Sequence, residues 1–338
     1  MQAGVYTGPH EIEAREWPVP ETAAGEVLVR VRYAGICGSD LLIHSGRHPR
    51  VVPPRVLGHE IFGTVADARP PADAAWKAGT RVAVYPLISC GRCAPCREGN
   101  AHVCDKLGLI GIDTDGGIAD YVKVLPNQIV TVPDAVSDEQ AALIEPLSVA
   151  VHVVRRSGFR PGDITLVMGG GPIGNLIAQV LRASGAGAVV LTEVKTQRRA
   201  LAEQLRLTTV NPTEENLRGA VERITGARFV DLVFEASGAA VAYRDAVAVC
   251  KVRGEIVLVG LPKTLPEVDV LNLVFKEIQT TGARVYTLKD YRAAIALLER
   301  GAVDVIPLIT DRLALSEVAR GFENMRDAES SLKILFAP

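Results

Sequence analysis

Four cysteines lie close together at Cys90, Cys93, Cys96 and Cys104, with the spacing C-x2-C-x2-C-x7-C. Thiolates this close in sequence can form a closed tetrahedral shell around one Zn²⁺. The two-residue spacings disfavour a disulfide between neighbours, and a reactive or disulfide-forming loop is the alternative. A shell of four thiolates leaves no position for a substrate. We therefore expect this metal to stabilise a loop, so the catalytic groups must lie elsewhere.

Three separated segments carry ligands for a second metal ion. Cys37 is in the first, His59 and Glu60 are adjacent in the second, and Glu145 is in the third. One thiolate, one imidazole and one carboxylate would leave a fourth position open for water or substrate, as a catalytic zinc requires. From the residues alone, His59 can also be an ordinary core histidine and Glu145 a solvated carboxylate at the start of a helix.

A glycine-rich segment at residues 169–174, GGGPIG, contains the spacing G-x-G-x-x-G. It follows the apolar run Ile164–Met168 and precedes a helical pattern, which is the context of a dinucleotide-binding loop. The glycines would allow the tight turn, the approach of the pyrophosphate and close helix–strand packing, while the helix N-terminus holds the phosphates. The alternative is a tight turn without a ligand. The candidate cofactor-binding residues here are Gly169, Gly171, Pro172, Ile173 and Gly174.

A glutamate stands 19 residues after the last glycine of this loop, at Glu193. A carboxylate there would bind the adenosine ribose and repel a 2′-phosphate, so NAD is favoured over NADP. Nearby cations, Arg198 among them, would instead suit the phosphate of NADP. Arg198 is thus a further cofactor-binding candidate, as are Val259 at the end of a later predicted strand and Gly260 directly after it.

The order and intervals of these motifs resemble the zinc-dependent medium-chain alcohol and polyol dehydrogenases. The resemblance covers essentially the whole chain: Cys37, the triplet Gly58-His59-Glu60, the four-cysteine loop, Glu145-Pro146-Leu147 and the glycine loop follow one another as in that family. The stretch LIEPLSVAVHVVRRSG at residues 143–158 is most similar to the sorbitol (L-iditol) dehydrogenase branch. In that branch a glutamate takes the place that a cysteine holds in simple alcohol dehydrogenases.

The resemblance implies roles for the site residues. Cys37 and His59 would ligate the catalytic zinc, with Glu60 and Glu145 at the metal either directly or through water. Ser39 would pass on the proton of the substrate alcohol. Leu42 occupies the position where the family's proton relay often has a histidine, so His44 is the candidate substitute.

The resemblance also implies the reaction, which is hydride transfer between a secondary alcohol and NAD(H), with two zinc ions per chain. The expected substrate is a small polyol, sugar or sugar acid; amino alcohols and simple secondary alcohols or diols are alternatives. Two other classes stay open. One is a non-catalytic relative with the same fold, and the other is a zinc-free quinone-type reductase.

The elements that position these residues fall into two sets. Short strand-like runs bounded by turn residues fill the first part of the chain, and from about Gly162 strands alternate with helices, as in a parallel, doubly wound sheet. The run Leu332–Phe336 resembles a strand returning to the first set. The predicted fold is α/β: a GroES-like β-barrel catalytic domain (1–146 and 283–338) with a Rossmann domain (147–282).

The bulk composition is that of a globular enzyme. The chain has 338 residues, of which 48% are hydrophobic and 22% charged, and its net charge of −2 gives no reason to expect nucleic acid or an anionic membrane as partner. We see no secretory signal and no apolar run of the ~18 residues that a membrane span needs. Six cysteines, four of them clustered, fit the reducing cytoplasm. We expect a homo-oligomer, either a dimer or a tetramer.

Overall fold

The computed structural model describes residues 1–68, 76–327, 329 and 331–338. The chain forms two compact units. The first contains Met1–Glu145, Thr287–Arg300 and Leu308–Pro338, and the second contains Pro146–Tyr286 and Gly301–Pro307. The domain boundaries expected from the sequence are 1–146 with 283–338 for one domain and 147–282 for the other. They differ from this division into compact units and stay a prediction.

Among the described residues up to Arg156, most elements are short strands. The strands are β1 (Gln2–Gly8), β2 (Glu11–Glu16), β3 (Val27–Gly35), β4 (Arg55–Val56), β5 (Glu60–Ala68), β6 (Arg81–Val84), β7 (Leu87–Ile88), β8 (Gly108–Leu109), β9 (Tyr121–Val124) and β10 (Ile129–Thr131). The helices are α1 (Gly38–His44), α2 (Ala94–Arg97), α3 (Asp138–Ala142) and α4 (Ile144–Arg156). In β3 the valines at 27, 29 and 31 are buried while Arg30 and Arg32 are exposed, because alternate side chains of a strand point to opposite faces.

Residues 164–282 alternate between strands and helices. In chain order they are β11 (Ile164–Met168), α5 (Pro172–Ala183), β12 (Ala188–Thr192), α6 (Thr196–Gln204), β13 (Thr208–Val210), α7 (Leu217–Thr225), β14 (Val230–Glu235), α8 (Ala240–Val249), β15 (Cys250–Leu258), α9 (Val270–Phe275) and β16 (Gln279–Gly282). All neighbouring strands run parallel in the order β13-β12-β11-β14-β15-β16. This confirms the predicted doubly wound sheet, whose order reverses between β11 and β14.

The remaining elements return to the first unit. They are α10 (Leu288–Glu299), β17 (Ile309–Ala314), α11 (Val318–Arg326) and β18 (Lys333–Ala337). β18 pairs antiparallel with β3 and parallel with β17, which confirms the predicted returning strand. The largest sheet of this unit has the order β10-β6-β5-β3-β18-β17, with β9 also paired to β3.

Each unit has its own apolar core. In the first unit, buried valines of β3 pack with residues of β5, β6, β18 and α11. In the second, residues of β11, β12, β14 and β15 pack with the apolar faces of α7 and α8. Of the helices in the described part of the chain, none is both long enough and apolar enough to cross a membrane.

Candidate active site

Strand register brings the first candidate ligands together. β3 and β5 pair antiparallel with Gly35 opposite Glu60, and Cys37 follows Gly35 as the N-cap of α1. A Cβ at position 35 would collide with the Glu60 carboxylate, so this close approach requires glycine. One ligand atom each from Cys37, His59 and Glu60 lies within 4.8 Å of the others.

This donor set fits a catalytic zinc ion. A thiolate, an imidazole and a carboxylate are all zinc ligands, and three of them leave one position open. His59 and Glu60 are buried and Cys37 is half-buried, as expected for an ion that water reaches only through the open position.

Glu145 lies outside this group of three. It occupies the first turn of α4 and is buried, so it is not a solvated carboxylate. Its negative charge acts on both His59 and Lys333, which places it beside the cluster. Whether it ligates the metal stays a prediction.

Asp40 is a neighbour of the cluster that the sequence analysis did not single out. Its Oδ2 accepts a hydrogen bond from the backbone N–H of Cys37 at 2.9 Å, and its Oδ1 lies 3.8 Å from His59 Nδ1. Burial alone would lower the pKa of His59, but the charges of Asp40 and Cys37 outweigh it and raise that pKa well above its usual value. Asp40 on the Nδ1 side leaves His59 Nε2 as the nitrogen available to a metal.

Lys333 is a second residue that sequence reasoning missed. It is buried in β18, and its Nζ donates to both carboxylate oxygens of Glu60, at 2.5 and 2.7 Å, and to the Ile36 carbonyl at 2.8 Å. Burial would lower the pKa of Lys333, but Glu60 outweighs this and raises it. The available signal was a lone lysine inside the apolar run of residues 332–336.

The two candidate relay residues have different surroundings. Ser39 Oγ lies 3.5 Å from His59 Nε2, beside the metal ligands. The His44 ring is buried against His10 and Phe322, with centroid distances of 5.5 and 5.2 Å. Burial is also the main reason that the pKa of His44 is lowered. The structure thus brings Ser39 to the cluster, while a relay role for His44 stays a prediction.

The four-cysteine loop fits a closed zinc shell. Its sulfurs lie within 4.8 Å of one another, and all four cysteines are free thiols. Tetrahedral Zn–S bonds of about 2.3 Å place sulfurs about 3.8 Å apart. That is the separation of Cys93 Sγ and Cys104 Sγ, 3.8 Å. Backbone N–H groups of Arg92 and Cys93 lower the pKa of Cys90 to about 6, which favours a thiolate ligand.

The glycine loop has the shape of a phosphate cradle. Gly169 has a φ of +105°, Gly171 is the N-cap of α5, and Pro172 is in the first turn of that helix. A Cβ at Gly174 would collide with the Gly169 carbonyl, so helix and strand approach as closely as the motif predicts. Ile173 lies in the same first turn, where free backbone N–H groups favour an anion.

Glu193 helps to hold this loop. Its Oε2 accepts from the Gly170 N–H and its Oε1 from the Lys195 N–H, both at 2.9 Å. Arg198 reaches the loop as well, since its Nη1 would lie 3.7 Å from a Cβ at Gly171. The structure therefore groups both residues with the glycine loop.

Val259 and Gly260 follow β15 at the same carboxyl edge of the sheet. Their backbone N–H groups donate to the Glu235 carbonyl at 2.9 and 2.8 Å. Glu235 is a buried residue of this edge that the sequence analysis did not single out.

Two family models match the chain. Residues 23–134 match the alcohol dehydrogenase GroES-like domain, in agreement with the predicted GroES-like barrel, and residues 172–300 match the zinc-binding dehydrogenase domain. Among curated proteins, the chain is 37% identical to 2-dehydro-3-deoxy-L-galactonate 5-dehydrogenase of Pseudoalteromonas atlantica, over 99% of this chain and 98% of the relative. It is 33% identical to sorbitol dehydrogenase of Bacillus subtilis, over 100% and 97%.

Solved structures with bound dinucleotides are also similar. An alcohol dehydrogenase of Escherichia coli CFT073 in complex with NADH has a TM-score of 0.92 and 30% identity, covering 100% of this chain and 99% of that one. A zinc-binding dehydrogenase of Sinorhizobium meliloti 1021 bound to NADP has a TM-score of 0.92 and 32% identity, with the same coverage. Relatives of this fold thus bind either dinucleotide.

Proposed function

Because this chain belongs to the family of zinc-dependent medium-chain alcohol dehydrogenases, we propose that it oxidises a secondary alcohol of a sugar acid or polyol with NAD. The substrate class is that named for the galactonate and sorbitol dehydrogenases described above. The observation that carries the proposal is the group of Cys37, His59 and Glu60, with ligand atoms within 4.8 Å of one another.

Different residues of the chain would bind the metal, transfer the proton and bind the cofactor. Cys37 and His59 would hold the catalytic zinc, with Glu60 and Glu145 at the metal either directly or through water; bound zinc supplies a Lewis acid that lowers the pKa of an alcohol. The hydroxyl of Ser39, 3.5 Å from His59 Nε2, would pass on the alcohol's proton. The glycine loop and Glu193 would bind NAD, which supplies the hydride acceptor.

The second zinc would be structural. Cys90, Cys93, Cys96 and Cys104 supply four sulfurs, so no ligand position remains for a substrate. Four free thiols in one loop also support a reducing compartment, and we propose the cytoplasm.

We further propose that the chain is a homo-oligomer. Helix α9 exposes the large apolar side chains of Val270, Leu271, Val274 and Phe275, each more than 60% accessible. Strand β16 follows this helix and stands at the edge of its sheet, where its outer side pairs with no strand of the described chain. An exposed apolar patch and an open strand edge are each typical of a subunit interface.

A substrate panel tests the proposed function. The purified protein should contain about two zinc ions per chain. With NAD and members of a panel of sugar acids and polyols it should form NADH, which is measured by its absorbance. NADH formation should be slower with amino alcohols and simple secondary alcohols.

Paired cysteine variants supply the control. Cys37→Ser should lose one zinc and its activity. Cys250→Ser alters a buried cysteine outside both metal clusters and should keep zinc and activity. Zinc-dependent NADH formation that survives in Cys37→Ser would contradict the proposed catalytic centre.

A further inference from the structure

The carboxylate of Glu235 is fully buried at the carboxyl end of β14. Glu235 pairs with Met168 of β11 on one side and with Leu258 of β15 on the other. Both flanking strands run directly into candidate cofactor residues: Gly169 follows Met168, and Gly260 lies two residues after Leu258. Glu235 therefore stands between two parts of the candidate dinucleotide site.

One carboxylate oxygen fixes the loop that follows β14. Glu235 Oε1 accepts from the Ser237 N–H at 2.8 Å, from the Ser237 hydroxyl at 2.5 Å and from the Gly238 N–H at 2.9 Å. Hydrogen bonds to an ionised acceptor are stronger than neutral ones. Glu235 thus holds the backbone of residues 236–238 in one conformation.

This loop packs without spare room against both neighbouring strands. The Ala236 N–H donates to the Met168 carbonyl at 2.9 Å, and a Cβ at Gly169 would lie 2.9 Å from Ser237 Cα. On the other side, a Cβ at Gly260 would lie 2.6 Å from Glu235 Oε2 and would collide with the loop backbone. A shift of residues 236–238 would therefore also displace Gly169 and Gly260, the two glycines that flank the loop in the candidate dinucleotide site.

Tyr243, on helix α8, contacts Gly260 from a further direction. Its hydroxyl donates to the Gly260 carbonyl at 3.0 Å. Burial, with the nearby Glu235 charge as a second cause, raises the pKa of Tyr243 to about 12, so this hydroxyl stays a donor. Gly260 is thereby held from two sides.

Sheet topology indicates which half of a dinucleotide lies on each side of the switch point, at the carboxyl edge of the sheet. The strand order reverses between β11 and β14, and dinucleotides bind across this switch point. Glu193, at the end of β12, marks the adenosine side. The loop 236–238 and Gly260 lie on the other side, where the nicotinamide half belongs.

We propose that Glu235 is a positioning residue for the nicotinamide half of the cofactor. It acts through residues 236–238 and Gly260, without touching the cofactor itself. The inference rests on the proposed use of NAD, and its test separates the two.

The test compares the affinities of NADH and AMP by fluorescence titration and calorimetry. Glu235→Ala should weaken NADH binding about tenfold, the size expected when charge-assisted hydrogen bonds are lost. AMP occupies only the adenosine side, so its affinity should change less than about twofold. Glu193→Ala should weaken both ligands. A wild-type chain that binds neither ligand would contradict the proposed function instead of this inference.

Glu255→Ala is the matched control. Glu255 is a buried glutamate of the same sheet that accepts from the Gly158 N–H at 2.7 Å and from the Thr281 hydroxyl at 2.6 Å. Its loss should lower Tm but leave both affinities unchanged. Glu235→Gln keeps an acceptor at Oε1 and should restore NADH affinity to within about threefold of wild type.

Two results would overturn the inference. One is equal loss of AMP and NADH affinity in Glu235→Ala, and the other is NADH affinity in that variant no weaker than in Glu255→Ala. If Glu235→Ala does not fold, Ser237→Ala decides. It removes the 2.5 Å hydroxyl contact to Glu235 and the 3.1 Å bond from the Ala239 N–H, but it keeps both backbone N–H contacts to Glu235. It should weaken NADH binding selectively, and unchanged NADH affinity there would contradict the proposal.

Discussion

At the scale of single residues, buried charges must balance around the candidate catalytic metal. Glu60 and Lys333 form an ion pair with almost no solvent exposure, next to Cys37 and Glu145. A charge removed from water is tolerated only when it is paired and hydrogen-bonded, and Lys333 meets both conditions through Glu60 and the Ile36 carbonyl. Lys333 thus neutralises one of the negative charges that the metal site collects.

Lys333→Met should therefore be strongly destabilising. Breaking a buried pair by removing one partner typically costs about 3–5 kcal/mol, because the other charge stays buried. The free energy of unfolding, measured with chelator and again with zinc, should fall in both conditions and fall less with zinc, since the ion can take over the charge of Glu60. Lys276→Met is the control: Lys276 donates to three backbone carbonyls, and no carboxylate of the described residues is hydrogen-bonded to it. Equal losses in the two variants would argue against a special role for the ion pair.

The two glutamates at the cluster should differ in their effect on metal content. Both oxygens of Glu60 accept from Lys333, which favours Glu60 as an exchanging or outer ligand and Glu145 as the permanent one. Glu145→Ala should lose zinc and activity together. Glu60→Ala should keep most of its zinc and turn over about 10–100-fold more slowly. Zinc content and kcat of both variants, purified without chelator, check this. The reverse assignment, with Glu60 as the permanent ligand, is supported by the approach of Cys37, His59 and Glu60 to within 4.8 Å. Loss of zinc in Glu60→Ala but not in Glu145→Ala would establish that reverse assignment.

At the scale of elements, metal ligands come from places where regular structure ends. Cys37 caps α1 directly after β3, and Glu60 begins β5, so the pairing of these strands sets their separation. The four-cysteine loop depends less on such pairing. It contains the short helix α2 and is flanked by the two-residue strands β7 and β8, and these elements offer little backbone hydrogen bonding of their own.

Cys90→Ser should for this reason lower the stability of the loop before it affects the chemistry. A structural zinc contributes folding free energy directly, so the variant should lose about one zinc per chain and melt at a lower temperature. At a temperature where the variant stays folded, kcat should fall only as a consequence of the less stable loop, because the four-cysteine site does not take part in the reaction. Zinc content, Tm and kcat are the measurements. Cys250→Ser, outside the loop, should retain both ions. Loss of one zinc from Cys90→Ser with an unchanged Tm would speak against a structural ion.

At the scale of the whole molecule, the apolar surface of α9 predicts self-association. Val274→Glu and Phe275→Glu would place charges into a buried interface, where they cannot be solvated. Each should shift the protein to a smaller species in sedimentation or light scattering. Val52→Glu changes a valine of similar exposure, 69%, far along the chain from α9 and should leave the assembly intact. An unchanged mass of the α9 variants would place the interface elsewhere.

Features that depend on local spacing can be predicted from the sequence. The four cysteines within 15 residues, the glycine loop and the rhythm of strands and helices after Gly162 all act through neighbours along the chain, so the zinc loop and the parallel sheet could be predicted. The bounds of β11 agree with the predicted run Ile164–Met168, because it is a short apolar run between turn residues.

Contacts between residues that are distant in sequence follow from the tertiary fold. Lys333 is 273 positions from Glu60, and their contact follows from the pairing of β18 with β3 and of β3 with β5. Likewise, Asp40 and His59 approach only because α1 follows β3 while His59 precedes β5. The position of Glu145 outside the group of three ligands is also a packing result, since no spacing rule connects α4 to β5. Contacts of this kind depend on strand register and core packing, which no short stretch of sequence specifies.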